Sequence, residues 1–254
     1  MNLQAKSALV TGGRRVGGEL AIKLARRGMN VALTYRSNRS AVEETVAAIE
    51  ALGANAIAIE ADLSHAQEAE NAVGATVSAW GRIDVLVAMA SVYQRTPFDT
   101  LEPADFDQMI AGNLATAYHA AIAAARSMIL PKHDDEIAGK IVFVGDWASD
   151  RPYKHYLPYL VAKGALKTLT SALARELAPR IHVNLVQPAM IAPPNDYSKT
   201  ELAAIVAKTP LERHGTPDDL NNFILYLLEG TDFATGSWFR VDGGRFVGLD
   251  DDHV

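Results

Sequence analysis

The sequence predicts an α/β fold, with residues 1–254 forming a single domain built on one doubly wound parallel sheet with helices on both faces. Short β-rich hydrophobic runs alternate with amphipathic helical patterns along the chain. The helical segments are long enough to require parallel crossovers rather than hairpins. No linker, internal repeat or low-complexity block divides the chain, and α/β folds of about 250 residues are often single units.

The first half of the chain contains four predicted strands separated by helices. In the first helix Leu20 and Leu24 recur at helical spacing, and Gly28 ends the pattern. Ser40 is expected to cap the second helix, and a third extends from about His65 to Trp80. The predicted strands are Ser7–Thr11, Asn30–Tyr35, Asn55–Ala61 and Arg82–Ala90.

The second half continues this alternation and completes a sheet of about seven strands. Long helical regions extend from Pro103 to about Leu130 and from Tyr156 to Ala178. The predicted strands are Lys140–Asp146, Ile181–Pro188 and Ser237–Gly244. Ligands of doubly wound sheets bind beyond the carboxyl ends of the strands, so functional residues are expected just after each strand.

The composition excludes several classes of protein. The absence of cysteine excludes disulfides and thiol catalysis, and it fits a reducing cytoplasm. The net charge of −6 lacks the basic footprint of a nucleic-acid-binding protein. No apolar run reaches membrane-spanning length. We therefore expect a cytoplasmic protein with a small-molecule substrate and without a nucleic-acid, membrane or metal partner.

A glycine-rich stretch, TGGRRVGGE (Thr11–Glu19), follows the first strand, where such folds bind nucleotides. Its spacing is not the dinucleotide fingerprint G-x-G-x-x-G. The packed face of the next helix indicates that the helix begins at Gly17. We therefore expect Gly12 to form the tight turn, Gly17 to allow close approach of a phosphate, and Gly18 to serve packing. The N–H groups at the start of the helix would then bind an anion.

Arginine at the end of the second strand indicates which cofactor is bound. That strand ends with Tyr35, Arg36 and Ser37. An acidic residue at this place would bind a ribose 2′-hydroxyl, whereas an arginine accommodates a 2′-phosphate. Together with Arg14 or Arg15 on the adjacent turn, Arg36 favours NADP(H) over NAD(H).

Tyr159 and Lys163 lie four residues apart, on one face of the helix predicted after the fifth strand. A tyrosine has a solution pKa near 10 and needs a neighbouring ammonium to lower it before it can act at neutral pH. Lys163 is placed to lower that pKa and to hold the nicotinamide ribose. The pair is a weak pattern alone, and its position after the fifth strand makes it a strong one.

The chain resembles the short-chain dehydrogenase/reductase family over nearly its whole length. The motifs that carry the resemblance are TGG-RRVG, ADL at Ala61–Leu63, the Asn113 helix, Tyr159 with Lys163, VNLVQP and the closing TG-SWFRVDGG. The resemblance implies a Rossmann-type fold in which Tyr159 is the general acid, activated by Lys163. It also implies that Asn113 holds the water of a proton relay and that Asp62 and Leu63 contact the adenine. Asn113 is equally interpreted as a buried polar residue that bends its helix.

Asp146 departs from the family pattern, which usually has a serine thirteen residues before the tyrosine. A serine donates a hydrogen bond to a carbonyl oxygen, whereas an ionised aspartate can only accept one. The carboxylate favours a substrate that offers N–H groups or needs a proton at a ring nitrogen. With GRRVG and TYRS, this set resembles the pteridine reductase and dihydromonapterin reductase branch. The alternative is that Asp146 only caps a loop.

The same resemblance implies contacts to substrate and cofactor beyond the catalytic residues. Ser91 and Tyr93 would contact the substrate, with Tyr93 stacking on a flat ring, although Tyr93 is equally interpreted as an ordinary, partly buried aromatic residue. Arg15 would contact both phosphate and substrate, and Asp146 and Tyr159 complete the substrate set. The predicted cofactor-binding residues are Gly12, Arg14, Arg15, Val16, Gly17, Tyr35, Arg36, Ser37, Asp62, Leu63, Ala90, Lys163, Pro188 and Ile191.

Further departures leave more than one function open. Ala88 and Met89 replace polar residues of the family pattern, and Pro193 stands where a threonine is common. We expect an NADPH-dependent reductase of a pterin-like C=N bond. The alternatives are a carbonyl or 3-oxoacyl reductase and, in another class, a catalytically weak NADP-binding sensor or interaction protein.

Assembly and mobile segments are expected from the resemblance and from composition. The family implies a homotetramer formed through the two long helices and the last strand. The polar, proline-flanked segment 193–210, with Asn195, Asp196 and Tyr197, is a candidate lid over the substrate. The acidic tail LDDDHV is expected to be solvated rather than to bind a metal.

Overall fold

The computed structural model describes residues 1–130, 136–193 and 197–248. Seven strands form one parallel sheet in the order β3-β2-β1-β4-β5-β6-β7, which confirms the predicted doubly wound fold. The strands are β1 (Ser7–Thr11), β2 (Asn30–Tyr35), β3 (Ala56–Glu60), β4 (Val85–Ala88), β5 (Gly139–Val144), β6 (Ile181–Pro188) and β7 (Trp238–Val241).

Helices cover both faces of the sheet. The α-helices are α1 (Val16–Ala25), α2 (Arg39–Glu50), α3 (Ala66–Trp80), α4 (Pro103–Met109), α5 (Thr116–Ile129), α6 (Leu157–Leu177), α7 (Lys199–Ala207) and α8 (Pro217–Leu225). Alanine-rich faces of α3 and α5 pack with α6 on one side. On the other side α1, α2 and α8 pack against the opposite residues of the same strands.

The register of the central strands explains why the sequence shows near-continuous hydrophobic runs. Leu9 of β1 pairs with Ala32 of β2 and Leu86 of β4, and all three side chains belong to one core. The next residues along these strands face the other core. Because both faces are buried, the strands need apolar residues at every position. Strand order reverses between β1 and β4, which opens a crevice beyond their carboxyl ends.

The start of α2 differs from the prediction. Asn38, not Ser40, caps this helix, and its Oδ1 accepts a hydrogen bond of 3.3 Å from the Ala41 N–H. Ser40 is already inside the helix, which begins at Arg39. Asparagine and serine are similarly good caps, so the sequence alone could not separate the two positions.

The long helical region predicted from Pro103 to Leu130 contains a distortion. A π-helical turn, Ile110–Ala115, separates α4 from α5. The fourth strand is also shorter than predicted, because it ends at Ala88. The N–H groups of Met89 and Ala90 donate to the Thr11 hydroxyl, each at 3.1 Å, instead of continuing the sheet. The chain therefore turns away at the crevice.

Two predictions fall on segments with a limited description. In the predicted lid, α7 has no buried residue, while Asn195 and Asp196 lie outside the described residues. The acidic tail, residues 249–254, also lies outside them.

Among the residues that are described, no helix is long and apolar enough to cross a membrane. Within the same ranges, no group of three or more His, Cys, Asp or Glu side chains could hold a metal ion.

Candidate active site

A cleft of about 480 Å³ lies beyond the carboxyl ends of β1 to β4. The predicted cofactor-binding residues that line it are Gly12, Arg14, Arg15, Val16, Gly17, Tyr35, Arg36, Ser37, Asp62, Leu63, Ala90 and Ile191. Of the other two, Pro188 ends β6 and Lys163 is buried in α6. Gly112 and Thr116, which the sequence did not single out, also line the cleft. Its volume suits a small-molecule ligand.

Gly12 and Gly17 leave the backbone of the turn without side-chain cover at the entrance to the crevice. Gly12 has φ +73°, and a Cβ there would lie 2.9 Å from the Ala90 Cα. A Cβ on Gly17 would overlap the carbonyl oxygen of Gly12. A Cβ on Gly18 would instead lie 2.9 Å from the Thr45 hydroxyl of α2, as expected of a packing glycine. Gly13, which sequence reasoning passed over, packs tightly against Leu33.

The arginines around the cleft have different surroundings. Arg14 is exposed. Arg15 has φ +49° and reaches across the cleft, where its Nη2 donates to the Ala192 carbonyl. Arg36 lies 3.8 Å from Asp62, so the ends of β2 and β3 are linked by a loose ion pair. The Ser64 hydroxyl, with a smaller contribution from Arg36, lowers the pKa of the Asp62 carboxyl. Arg36 and Asp62 thus form a charged rim at one end of the cleft.

Tyr159 and Asp146 do not line the cleft but are brought together beside it, with Asp146 two residues beyond Val144, which does line it. The Tyr159 hydroxyl donates to Asp146 Oδ2 at 2.8 Å. Asp146 Oδ1 accepts from the Ala148 N–H, also at 2.8 Å, and so caps the short 3₁₀ turn Trp147–Ser149. Both interpretations of Asp146 are therefore compatible with the geometry, since one oxygen caps the turn and the other contacts the tyrosine.

Lys163 does not have the effect on Tyr159 that its spacing predicts. Burial, and then the charge and hydrogen bond of Asp146, raise the pKa of Tyr159 well above its usual value. The Lys163 ammonium donates instead to the Val144 carbonyl at 2.9 Å, and it lies 5.9 Å from the Tyr159 ring centroid. Burial also lowers the pKa of Lys163 to about 8. With its pKa raised in this way, Tyr159 is a protonated phenol rather than an activated phenolate.

Burial likewise raises the pKa of Asp146, against the opposing effects of the Ala148 N–H, the Tyr159 hydroxyl and the Lys163 charge. A carboxyl group with a raised pKa can take up and release a proton closer to neutrality. The pair of Tyr159 and Asp146 is therefore suited to moving a proton.

Asn113 holds the loop after β4 in place. Its Oδ1 accepts from the Ser91 hydroxyl at 2.7 Å and the Val92 N–H at 3.3 Å. Its Nδ2 donates to the carbonyls of Val92 at 2.9 Å and Met109 at 3.0 Å. These four bonds use the capacity of the amide. A relay water would therefore have to bind the peptide group of Asn113 rather than its side chain.

Tyrosines form a wall beside the Tyr159–Asp146 pair. Tyr93 stacks on Tyr156, with centroids 4.5 Å apart, and meets the edge of Tyr159 at 4.9 Å. The Tyr153 hydroxyl donates to the Tyr93 hydroxyl at 3.3 Å. Sequence reasoning identified Tyr93 but missed Tyr153 and Tyr156. A β-bridge between Thr96 and Tyr156 brings the two segments together.

Gln187 supports the turn that carries Asp146 through a hydrogen bond to its backbone. This fully buried side chain donates through Nε2 to the Asp146 carbonyl at 3.1 Å and to Asp150 Oδ2 at 3.5 Å. Both partners are acceptors, which fixes the orientation of the amide. Asp150 is held in turn by Lys167 and Arg240. No pattern in the sequence indicated this network, because its members come from four separate segments.

The chain is similar to known oxidoreductases along nearly its whole length. The family described as enoyl-(acyl carrier protein) reductase matches residues 13–245. A 3-oxoacyl-[acyl-carrier-protein] reductase from Synechocystis sp. is 32% identical over 250 residues, covering 96% of this chain and 98% of that protein. An L-rhamnose 1-dehydrogenase (NAD(P)(+)) from Sphingomonas sp. is 31% identical over 256 residues, covering 97% of this chain and 98% of that protein.

A solved structure extends the likeness to three dimensions. The crystal structure of a short chain dehydrogenase from Burkholderia cenocepacia, in complex with NADP, matches with a TM-score of 0.88 and 33% sequence identity. The match covers 96% of this chain and 99% of that one. With a family match across the domain and relatives aligned along nearly its full length, the chain belongs to the short-chain dehydrogenase/reductase family.

Proposed function

We propose that this enzyme is an NADPH-dependent reductase that reduces a pterin-like C=N bond, with Tyr159 as the general acid. The observation that carries the proposal is the carboxylate of Asp146, 2.8 Å from the Tyr159 hydroxyl. When ionised, this group can accept an N–H from a nitrogen-rich ring but cannot donate a hydrogen bond to a carbonyl oxygen. When protonated, it can deliver a proton to a ring nitrogen.

NADP(H) is the cofactor of this oxidoreductase, and the residues of the cleft fit it. The Gly12–Gly17 turn offers bare backbone at the start of α1, where N–H groups favour a phosphate. Arg36, with Arg14 on the adjacent turn, supplies positive charge for a 2′-phosphate. The bound cofactor supplies a hydride to the substrate carbon.

The protein's own residues then supply the proton. Burial and Asp146 keep the Tyr159 phenol protonated, so a proton is available when negative charge develops on the substrate nitrogen. Tyr159 gives that proton to the nitrogen and becomes a phenolate. The phenolate regains a proton from water, and Asp146 then accepts the hydrogen bond of the restored phenol. The Lys163 ammonium, 5.9 Å from the ring centroid, stabilises the phenolate while it exists and would also hold the nicotinamide ribose.

The predicted substrate contacts are part of the same proposal. Tyr93 is 46% exposed beside Tyr159 and so keeps surface for a flat ring. Ser91 lies next to it, held through its hydroxyl by Asn113. Arg15, which bridges the cleft to Ala192, would exchange that contact for the phosphate and the substrate. Aromatic stacking contributes about 0.5–1.5 kcal/mol, which is enough to orient a ring.

A carbonyl or 3-oxoacyl reductase is the second candidate. It is favoured by the names of relatives such as the 3-oxoacyl-[acyl-carrier-protein] reductase of Synechocystis sp.. Against it stands the absence of a serine hydroxyl at position 146. A catalytically weak sensor is disfavoured, because the chain has Tyr159, Lys163 and Asn113.

The test is NADPH oxidation against a panel of dihydropterins, quinones and 3-oxoacyl compounds, with wild type and the variants Asp146→Ser and Asp146→Asn. We expect the wild type to prefer pterins, and Asp146→Ser to lose pterin turnover by about 100-fold while gaining carbonyl turnover. Asp146→Ser can still cap the turn, so it separates capping from proton transfer. Pterin turnover that survives in Asp146→Ser would overturn the role of Asp146.

We also propose a homotetramer and a lid over the substrate. Apolar side chains on α4, α5 and α6 remain about half exposed in the single chain: Phe106 47%, Tyr118 46%, Leu157 54% and Val161 45%. Such a face is suited to contact with a second copy. Light scattering of the purified protein would give the mass, and a monomer would overturn the assembly.

The lid, residues 193–210, should become resistant to proteolysis when NADPH and substrate are both present.

A further inference from the structure

A second cavity, of about 270 Å³, lies beyond the carboxyl ends of β6 and β7. It is called the Arg245 cavity here, and its lining includes Met190, Thr209, Arg213, Arg240 and Arg245. Residue Ile191 lines both this cavity and the cofactor cleft. The two spaces are therefore neighbours, separated by the segment that follows β6.

Two of the three arginines in this lining are neutralised by carboxylates. Arg213 donates to Asp219 at 2.6 and 2.9 Å. Arg240 donates to Asp150 at 2.9 Å. Each of these carboxylates neutralises the charge of its guanidinium and so reduces the attraction of that arginine for an anion. These two side chains therefore act as walls of the cavity.

Arg245 is different, because no carboxylate in the described part of the chain forms a salt bridge with it. Its Nη1 donates to neutral acceptors, the Ile205 carbonyl at 2.7 Å and the Thr209 hydroxyl at 3.4 Å. Asp242, the remaining acid of the lining, accepts instead from the backbone N–H groups of Gly244 and Phe246. A guanidinium has five N–H donors, and these bonds use only those of Nη1.

The environment of Arg245 favours an anion. The side chain is partly buried, and burial lowers the pKa of its guanidinium, which means that the charged form is poorly solvated. An anion in the cavity would offset that loss of solvation. A planar guanidinium also binds carboxylate or phosphate through two parallel hydrogen bonds, which a lysine cannot do.

Arg245 is connected to the reacting end of the site through aromatic side chains. Its Cζ lies 5.2 Å from the Trp147 ring, and Trp147 directly follows Asp146. Trp147 and Tyr153 pack in the same cluster as Tyr159. An anion held by Arg245 would thus sit near Trp147, next to the turn that carries Asp146.

We propose that the Arg245 cavity binds a carboxylate or phosphate carried by the substrate, at a distance from the bond that is reduced. This inference rests on the proposed reductase function, and it narrows the substrate class to anionic molecules. Arg245 determines specificity in this scheme and takes no part in proton or hydride transfer.

The kinetic test compares matched substrates. One pair is a dihydropterin with and without a carboxylate on its side chain, and the other is a 3-oxoacid with its methyl ester. We expect Arg245→Gln to raise KM about 10- to 100-fold for the charged member of the pair that is turned over, with kcat nearly unchanged. The uncharged member should change less than twofold, and Arg245→Lys should restore part of the loss. An equal effect on both members would overturn the proposal.

A binding test works without turnover. Calorimetric titration of the NADP⁺-saturated protein with glutarate and, separately, with inorganic phosphate tells which anion the cavity takes. Saturation with NADP⁺ blocks the other anion site in the cleft. We expect saturable binding that Arg245→Gln weakens at least about tenfold and that the control Arg26→Gln, at an exposed side chain outside the cavity, leaves unchanged. Anion binding that is equal in wild type and Arg245→Gln, or absent in wild type, would overturn the cavity's role. Arg245-dependent binding without turnover of either substrate pair would overturn only the reductase proposal.

Discussion

Replacing Lys163 with Met should abolish catalysis and yet leave the protein at least as stable at pH 7. Lys163 is 3% exposed, and burial lowers its pKa from 10.5 to about 8. At about 1.4 kcal/mol per pKa unit, that difference means that burying the ammonium opposes folding by about 3 kcal/mol at neutral pH. Methionine has a similar length and carries no charge, so it removes this penalty.

The same substitution removes a hydrogen bond. The Val144 carbonyl, which accepts from Lys163 at 2.9 Å, would lose this donor inside the protein. A buried carbonyl without a donor costs about 1–3 kcal/mol. Subtracting this from the gain leaves Lys163→Met more stable than wild type by about 0–2 kcal/mol at pH 7.

The pH dependence separates the two contributions. Between pH 8 and 10.5 the unfolded chain keeps a proton on Lys163 that the folded protein has lost, so wild-type stability rises with pH relative to the variant. The advantage of Lys163→Met should therefore disappear and reverse by pH 10.5. Urea unfolding of both proteins at pH 7 and pH 10 measures this change. A difference in unfolding free energy that is independent of pH would refute the reasoning, while kcat should fall at least about 100-fold in either case.

The other predictions concern the cofactor cleft and its support. Gly17→Ala should weaken NADPH binding at least about tenfold in a fluorescence titration, because the new Cβ would overlap the Gly12 carbonyl. The control Gly74→Ala has open space at its Cβ and should leave NADPH binding unchanged. Arg36→Ala should weaken NADPH about tenfold and NADH hardly at all, and equal losses would contradict a 2′-phosphate site. Gln187→Leu removes the donor to the Asp146 carbonyl, and it also removes a buried amide oxygen that has no hydrogen-bond partner. Because these two effects on stability oppose each other, the midpoint of urea unfolding should change little, while kcat should fall about tenfold. A large loss of stability without a change in kcat would contradict that role of Gln187.

The fold could be predicted because it is encoded by local patterns. Hydrophobic runs such as Asn30–Tyr35 and Ile181–Pro188 coincide with strands, since their residues must pack on both faces. The positions of Asp62 and Asp146 at the edge of the sheet followed from the rule that parallel strands end on one side. These inferences need only the order of elements along the chain.

The tyrosine wall could not be predicted, because it depends on contacts between distant segments. Tyr153 stands in a stretch without helical or strand periodicity, and Tyr156 is the first residue of the predicted helix. They reach Tyr93 only because the Thr96–Tyr156 bridge brings two loops side by side. No spacing rule connects residues that are about sixty positions apart in the chain.

The protonation state of Tyr159 also lay beyond the sequence. Spacing placed the Lys163 charge near the phenol, which correctly identified a neighbour. It could not give the burial of the phenol or the direct bond to Asp146, and these raise the pKa rather than lower it. Electrostatic effects of this kind depend on solvent exposure and on the direction of each donor.

The π-helical turn at Ile110–Ala115 makes chain length itself a constraint on this enzyme. Such a turn carries one residue more than the α-helical turn it interrupts. Deleting Gly112 would allow α4 and α5 to join as one regular helix in which both parts keep their faces, because only the extra residue of the turn is removed. The packing of α5 on the sheet could then be kept, whereas the four hydrogen bonds of Asn113, which lies in the bulge, could not. A deletion of one residue in this turn should therefore leave a folded protein that has lost the support of the loop after β4.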